Sequence, residues 1–125
     1  MQVSPALAEF IADRHLGVLV TLRADGSPHA VPVGFTYADG VVRVITAGSS
    51  VKVANARGGG RACVTQIDGA RWVTFEGSAR VLDDVSSVAS AVAAYARRYR
   101  QPKERDDRVV IQIEVDRVMC NSRLK

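Results

Sequence analysis

Thr46-Ala47-Gly48-Ser49-Ser50-Val51-Lys52-Val53-Ala54-Asn55 is the stretch that decides how this chain is read. A β-branched run over 41–46 feeds into two small flexible residues and two hydroxyls. A short helical pattern follows, with a lysine in its first turn. This is a strand running into a helix N-terminus, where free backbone N–H groups and the helix dipole favour an anion. Ser49 or Ser50 is the expected cap. Lys52, expected to be exposed, adds a mobile positive charge that suits a phosphate. An ordinary capped helix with a surface lysine fits the same ten residues.

Strands and turns surround this segment. Residues 18–22 form a near-continuous apolar run, as in a strand covered on both faces. Asp25-Gly26 signals a hairpin into a second strand over 29–37, and Asp39-Gly40 signals another into 41–46. Gly58-Gly59-Gly60 ends the short helix. A fourth strand is expected over 61–67, and Asp68-Gly69 turns it into a fifth over 71–82. Near the C-terminus Val109, Ile111, Ile113 and Val115 alternate with Val110, Gln112, Glu114 and Asp116, the period of a half-buried strand.

Two longer helices interrupt the strands. Ser4 and Pro5 start the first, which carries Leu7, Phe10 and Ile11 on one face. The second runs over about 84–100 with an apolar stripe of Val85, Val88, Val92, Tyr95 and Tyr99. Its basic end, Arg97-Arg98-Tyr99-Arg100, reads as a solvated helix terminus whose cations complement the dipole. Residues 101–107 are polar, contain Pro102, and read as a mobile loop. Six strands in hairpins with helices inserted make a mainly β chain, expected to close into a small antiparallel barrel.

Composition narrows the function. At 125 residues the chain is expected to form one domain, residues 1–125, with a sizeable core. No stretch has the roughly 18 apolar residues of a membrane span, and residues 1–5 lack signal-peptide features, so the cytoplasm is the expected compartment. The net charge of +4 comes from scattered arginines rather than a basic stripe, which argues against nucleic acid. Cys63 and Cys120 are too few and too far apart for a disulfide framework or zinc motif, and His15 and His29 have no ligand-spaced partners, so no metal site is expected. His15 reads as closing the first helix and His29 as a partly exposed strand residue. Nucleophile elbow, Walker loop and dinucleotide glycine motifs are all missing. No catalytic side chain is nominated, which suits an enzyme whose cofactor carries the chemistry. On the fifth strand Val73, Phe75, Gly77, Ala79 and Val81 share one face, and Trp72, Thr74, Glu76, Ser78 and Arg80 the other. Trp72, the single tryptophan, is therefore expected on the outer face, where a partner subunit or flat ligand can stack.

Three segments together carry a resemblance. Leu22-Arg23-Ala24-Asp25-Gly26-Ser27-Pro28-His29, Pro32-Val33-Gly34-Phe35 and Val44 to Asn55 resemble the flavin/deazaflavin oxidoreductases. These share the FMN-binding split β-barrel of pyridoxamine-phosphate oxidases. Gln66-Ile67-Asp68-Gly69-Ala70-Arg71-Trp72 and Glu76-Gly77 are closest to the deazaflavin branch of F420-dependent biliverdin reductases. The likeness covers nearly the whole chain, and its specific parts are Ser-x-Lys-x-x-Asn and Asp-Gly-Ala-Arg-Trp.

The resemblance implies a six-stranded split barrel and a homodimer with two cofactor sites at the subunit interface. His29, Ala30, Val31, Pro32 and Val33 would lie along the tricyclic ring and bond it through backbone groups. Thr46, Gly48, Ser49, Ser50, Lys52 and Asn55 would hold the phosphate and ribityl region. Gln66, Arg71 and Trp72 would approach from near the interface. Many flavin-binding relatives carry an arginine two positions before the lysine, where this chain has Ser50. One fewer fixed charge favours coenzyme F420 over the alternative, FMN. The implied activity is hydride transfer from reduced F420 to a small conjugated acceptor, with biliverdin first in line. Arg57 and Arg61 are expected to attract the coenzyme's anionic tail. The alternatives are an FMN-dependent oxidase-like enzyme and a non-enzymatic flavin or F420 carrier.

Overall fold

Asp39-Gly40 makes one of the expected two-residue turns. Both residues have positive φ, 52° and 77°, as a two-residue turn matched to strand twist requires. The turn joins β3 (Thr36–Ala38) to β4 (Val41–Ala47) in the computed structural model, which describes residues 3–125. The other strands are β1 (Gly17–Leu22), β2 (Pro28–Val33), β5 (Arg61–Asp68), β6 (Arg71–Leu82) and β7 (Arg108–Cys120). The helices are α1 (Pro5–Ala12), α2 (Val51–Arg57) and α3 (Val85–Arg98). All seven strands belong to one sheet in the order β2-β1-β5-β6-β7-β4-β3, with every neighbouring pair antiparallel. The fold is the split barrel expected.

Two details differ from expectation. The sheet has seven strands, not six, and it is not closed: β2 and β3 are its two edges. The segment read as one strand over 29–37 breaks at Gly34-Phe35 and supplies both edges, so the seam is crossed by covalent chain and not by a ladder. Arg98 at the end of α3 and Tyr99, its C-cap, meet the backbone at the break. Tyr99 Oη accepts from the Phe35 N–H at 3.2 Å while donating its own proton to the His15 carbonyl at 2.7 Å, and the Phe35 carbonyl accepts from Arg98 Nη1. With both backbone groups satisfied from a helix, Phe35 needs no strand partner. Its side chain is fully buried and packs edge-on against Phe75, with centroids 6.0 Å apart.

The core lies inside the curled sheet. Leu19, Val42, Val44, Val64, Val73, Phe75, Ile111 and Ile113 point into it from the strands. Phe10 seals it from α1, and Val53 with Ala56 from α2. Each buried large apolar side chain is worth roughly 1.5–3 kcal/mol. The ladder between β6 and β7 shifts register at Glu76/Gly77. A Cβ on Gly77 would sit 1.9 Å from the Glu114 carbonyl oxygen, so only glycine admits this close approach.

Helix α3 lies on the outer face of the β4–β7 side. There Val110 and Gln112 are buried along with Val109, Ile111 and Ile113, so this part of β7 is covered on both faces rather than half-buried. The stripe expected on α3 is corrected at its start: Val85 is 87% exposed, and the buried residue of the helix is Ala91. Strand β1 is the opposite case. Leu19 and Thr21 are buried, whereas Val18 and Leu22 are exposed, so it is bare on the outer face. The C-terminus closes over α1: Leu124 is buried and its carbonyl accepts from Ser4 Oγ. Among the described residues no helix is long and apolar enough to cross a membrane.

Candidate cofactor site

Three helix starts can be compared directly. Ser4 caps α1 by accepting from the Leu7 N–H at 3.0 Å, and Asp84 caps α3 by accepting from the Ser87 N–H at 3.0 Å. Ser50 occupies the same position on α2 with extended backbone, yet its hydroxyl makes no cap bond. The Ser50 Oγ is instead buried without a partner. A buried polar atom left unpaired costs free energy, which makes Ser50 Oγ a candidate contact for a ligand.

Ser50 faces a cavity of about 420 Å³. One wall is the end of β2 with Pro32, Val33 and Gly34. A second is the end of β4 and the start of α2, with Ile45, Thr46, Ala47, Ser50 and Lys52. Tyr95 of α3 forms a third, and Pro102, Arg105 and Arg108 complete the lining. The cavity holds three cationic side chains and no carboxylate. Lys52 was expected to be exposed; it is half-buried, and that burial lowers its ammonium pKa below the usual lysine range. Arg108 contributes a second orphan, a buried Nε with no partner. A larger cavity of about 530 Å³ lies between α1, β3 and α3; it too is lined by three arginines, Arg43, Arg97 and Arg98, and no carboxylate, with the rest of its wall mainly aliphatic. The smaller one is set apart by its place at the β4–α2 turn, where Ser50 Oγ and Arg108 Nε lie unpartnered beside Lys52.

The structure divides the candidate residues. Pro32, Val33, Thr46, Ser50 and Lys52 come together around the cavity. Ala30 is exposed on the outer side of β2, and Val31 packs against the core. His29 is half-buried opposite Thr21, with its Nδ1 buried and unpartnered. Gly48 donates its N–H to the Asp107 carbonyl at 2.7 Å, which ties the 101–107 loop to β4, and Ser49 is exposed. Asn55 turns to β1 and donates to Thr21 Oγ1 at 3.0 Å.

Gln66 is fully buried, with Nε2 on the Phe10 carbonyl at 2.8 Å and Oε1 accepting from Arg98 Nη2 at 2.6 Å. Arg71 bonds Asp68, lies 3.7 Å from Asp13, and stacks over the Phe10 ring at 4.6 Å. Its hydrogen bond holds the Asp68 carboxyl below the usual carboxylate range. His15 sits between the same two acids, 3.6 Å from Asp68 and 3.9 Å from Asp13. Trp72 is half-buried on the outer face, its N–H held by Asn121 Oδ1 at 2.8 Å. Arg57 is exposed, and Arg61 is paired with Asp116.

Arg105, Arg108, Tyr95 and Pro102 are lining residues that local sequence reading missed. Arg108 has no motif around it. What brings it to the site is register: it is the β7 partner of Ala47, the last residue of β4. Among the described residues no group of His, Cys, Asp and Glu is arranged to hold a metal ion.

The chain belongs to the pyridoxamine 5'-phosphate oxidase family, whose sequence profile matches residues 3–120. Within that class it is similar to an F420H(2)-dependent biliverdin reductase from Mycobacterium tuberculosis (strain CDC 1551 / Oshkosh), with 47% identity over 117 residues, 92% of this chain and 85% of the relative. Among solved structures it is similar to Rv2991, a conserved hypothetical protein of Mycobacterium tuberculosis, at TM-score 0.80 and 26% identity, covering 94% of this chain and 83% of that one. An F420 reductase structure aligns at TM-score 0.74 and 21% identity over 89% of this chain and 94% of its own, a likeness of fold.

Proposed function

We propose that this chain is an F420-dependent reductase whose acceptor is a conjugated small molecule, biliverdin by preference. The observation that carries the reading is the pair of buried, unpartnered polar atoms, Ser50 Oγ and Arg108 Nε, beside Lys52 in a cavity without carboxylates. That donor set fits an anionic, phosphate-bearing cofactor. The choice of a deazaflavin over a flavin rests on the relative at 47% identity, which is named for F420H(2) and biliverdin.

The chemistry F420 supplies when bound is hydride donation from its reduced ring. The protein's part is to bind, orient and exclude water. Lys52 and the Ser50 hydroxyl hold the phosphate end. The backbone of 29–33 would hold the ring, with Pro32 and Val33 supplying an apolar wall of the cavity. Such positioning accounts for much of the rate gain in a transfer of this kind. The cavity lining holds no carboxyl or imidazole, and its hydroxyls are those of Thr46, Ser50 and Tyr95. With Lys52, the ammonium of lowered pKa in the lining, assigned to the phosphate, the proton that completes reduction of the acceptor is taken from solvent in this reading.

The working unit is a homodimer of single split-barrel domains, 1–125. The outer face of β1, β5 and β6 supports this. Pro32, Val18, Thr65, Thr74 and Met119 stand opposite one another in one row across five strands. Ile67, 59% exposed, lies beside it opposite Trp72. Thr65 and Thr74 satisfy each other within the row, and the exposed apolar side chains around them, Val18, Ile67 and Met119, are of the kind a partner covers. Pro32 belongs both to this row and to the cavity lining, so a second subunit seated here would border the site.

The test is absorbance with reduced F420 and biliverdin, with NADPH as the control donor. Oxidation of F420 that scales with enzyme and needs biliverdin is the expected result. Tight FMN binding with no F420 affinity would overturn the reading in favour of a flavin enzyme. F420 binding without turnover of biliverdin would keep the cofactor and discard the substrate. Light scattering reads the dimer, and Trp72→Ala should shift it toward monomer.

A further inference from the structure

We infer that Arg108 is the second fixed cation of the phosphate subsite, acting with Lys52 from a different strand; the inference rests on the cofactor reading above. Arg108 opens β7, and its register partner Ala47 precedes Ser50 and Lys52 by three and five positions. The strand ladder thus places its guanidinium beside the β4–α2 turn.

Two contacts define its state. Its Nη2 donates to the Lys103 carbonyl at 2.7 Å, which fixes the plane of the group. Its Nε is buried and has no partner. The nearest acid in sequence is Asp107, and both its oxygens are engaged by Arg105, at 2.9 and 3.2 Å. Arg105 is therefore neutralised within its own loop, while Arg108 and Lys52 have no carboxylate partner among the described residues. A guanidinium that is anchored at one nitrogen and desolvated at another is arranged to receive an anion. Arg98 also has a buried, unpartnered Nε, but its terminal nitrogens meet several internal acceptors; Arg108 meets one and lines the cavity beside Lys52.

The experiment compares a phosphate-bearing ligand with the same ring system lacking phosphate. Coenzyme F420 and its phosphate-free deazaflavin–ribityl chromophore are titrated against wild type, Arg108→Gln and Arg108→Lys by fluorescence. Arg108→Gln should weaken F420 roughly 10- to 100-fold and leave the chromophore unchanged, with Arg108→Lys recovering part of the loss. Added salt should weaken F420 but not the chromophore in wild type, a readout that survives even if a variant folds poorly. Equal loss for both ligands, or no loss for F420, would make Arg108 structural and overturn the inference. If wild type binds FMN and not F420, the cofactor reading falls while FMN against riboflavin still decides Arg108. If it binds none of the four, both fall.

Discussion

Arg98 and Arg108 are the same residue type put to opposite uses. Arg98, at the end of α3, donates to the Phe35 carbonyl, to the Asp13 carbonyl at 2.8 Å and to Gln66 Oε1 at 2.6 Å. Its guanidinium also lies 4.4 Å over the Phe35 ring and 5.1 Å from that of Tyr99. It ties α1, the β2–β3 break, β5 and α3 together. Arg108 has one internal acceptor and faces a cavity shared with Lys52. Both have a buried Nε without a partner, so what separates them is the rest of the guanidinium: the terminal nitrogens of Arg98 are spent on internal acceptors, whereas Arg108 has one internal acceptor and lines a cavity beside a second cation.

The largest effect should come from breaking the scaffold side. Arg98→Ala leaves three internal acceptors without their donor and should destabilise the protein by about 3 kcal/mol, read from urea unfolding. Arg98→Lys should rescue little, because one ammonium cannot reproduce the guanidinium fork. A loss no larger than that of an ordinary surface substitution would erase the distinction between the two arginines.

Lys52→Ala sharpens the other side. It should weaken F420 binding by about 1.5–3 kcal/mol in an equilibrium titration, with an unfolding midpoint no lower than wild type. Unchanged affinity in a folded variant would remove Lys52 from the site.

The smallest effect is a pH dependence. Burial lowers the Lys52 pKa in the folded state, so the native state releases its proton before the unfolded chain does. Stability of the free protein should therefore rise with pH between the lowered value and the ordinary lysine value. Below that window the cost of burying the ammonium is present in full. Lys52→Met should abolish the rise, seen as unfolding midpoints that no longer separate with alkaline pH. A wild type that loses stability through this window relative to Lys52→Met would reverse the sign and the argument.

Legibility in the sequence followed the range of the interactions involved. The strand–helix turn over 46–55, the Asp-Gly hairpins and the facing pattern of β6 are local, and the expected and observed elements agree closely there. The division of 29–37 into two edge strands was not legible, because Arg98 and Tyr99, which meet the backbone at the break, are 63 and 64 residues away. Arg97-Arg98-Tyr99-Arg100 read as a solvated end for the same reason. Nothing near Arg98 in sequence announces that three carbonyl acceptors converge on it from distant elements.

Residue types and their short-range spacing determined by themselves that this is a mainly β chain, that a strand runs into a helix start at Ser50 and Lys52, and which family it resembles. Period, turn chemistry and helix starts are set by neighbours within a few positions. Only the tertiary structure decided that Asn55 and Gln66 bond inside the protein, that the barrel stays open, and that Arg108 lines the same cavity as Lys52. The register of β4 on β7 makes that last choice. A slip of one residue there would turn Arg108 to the other face of the sheet, and no local signal in the chain records which face it takes.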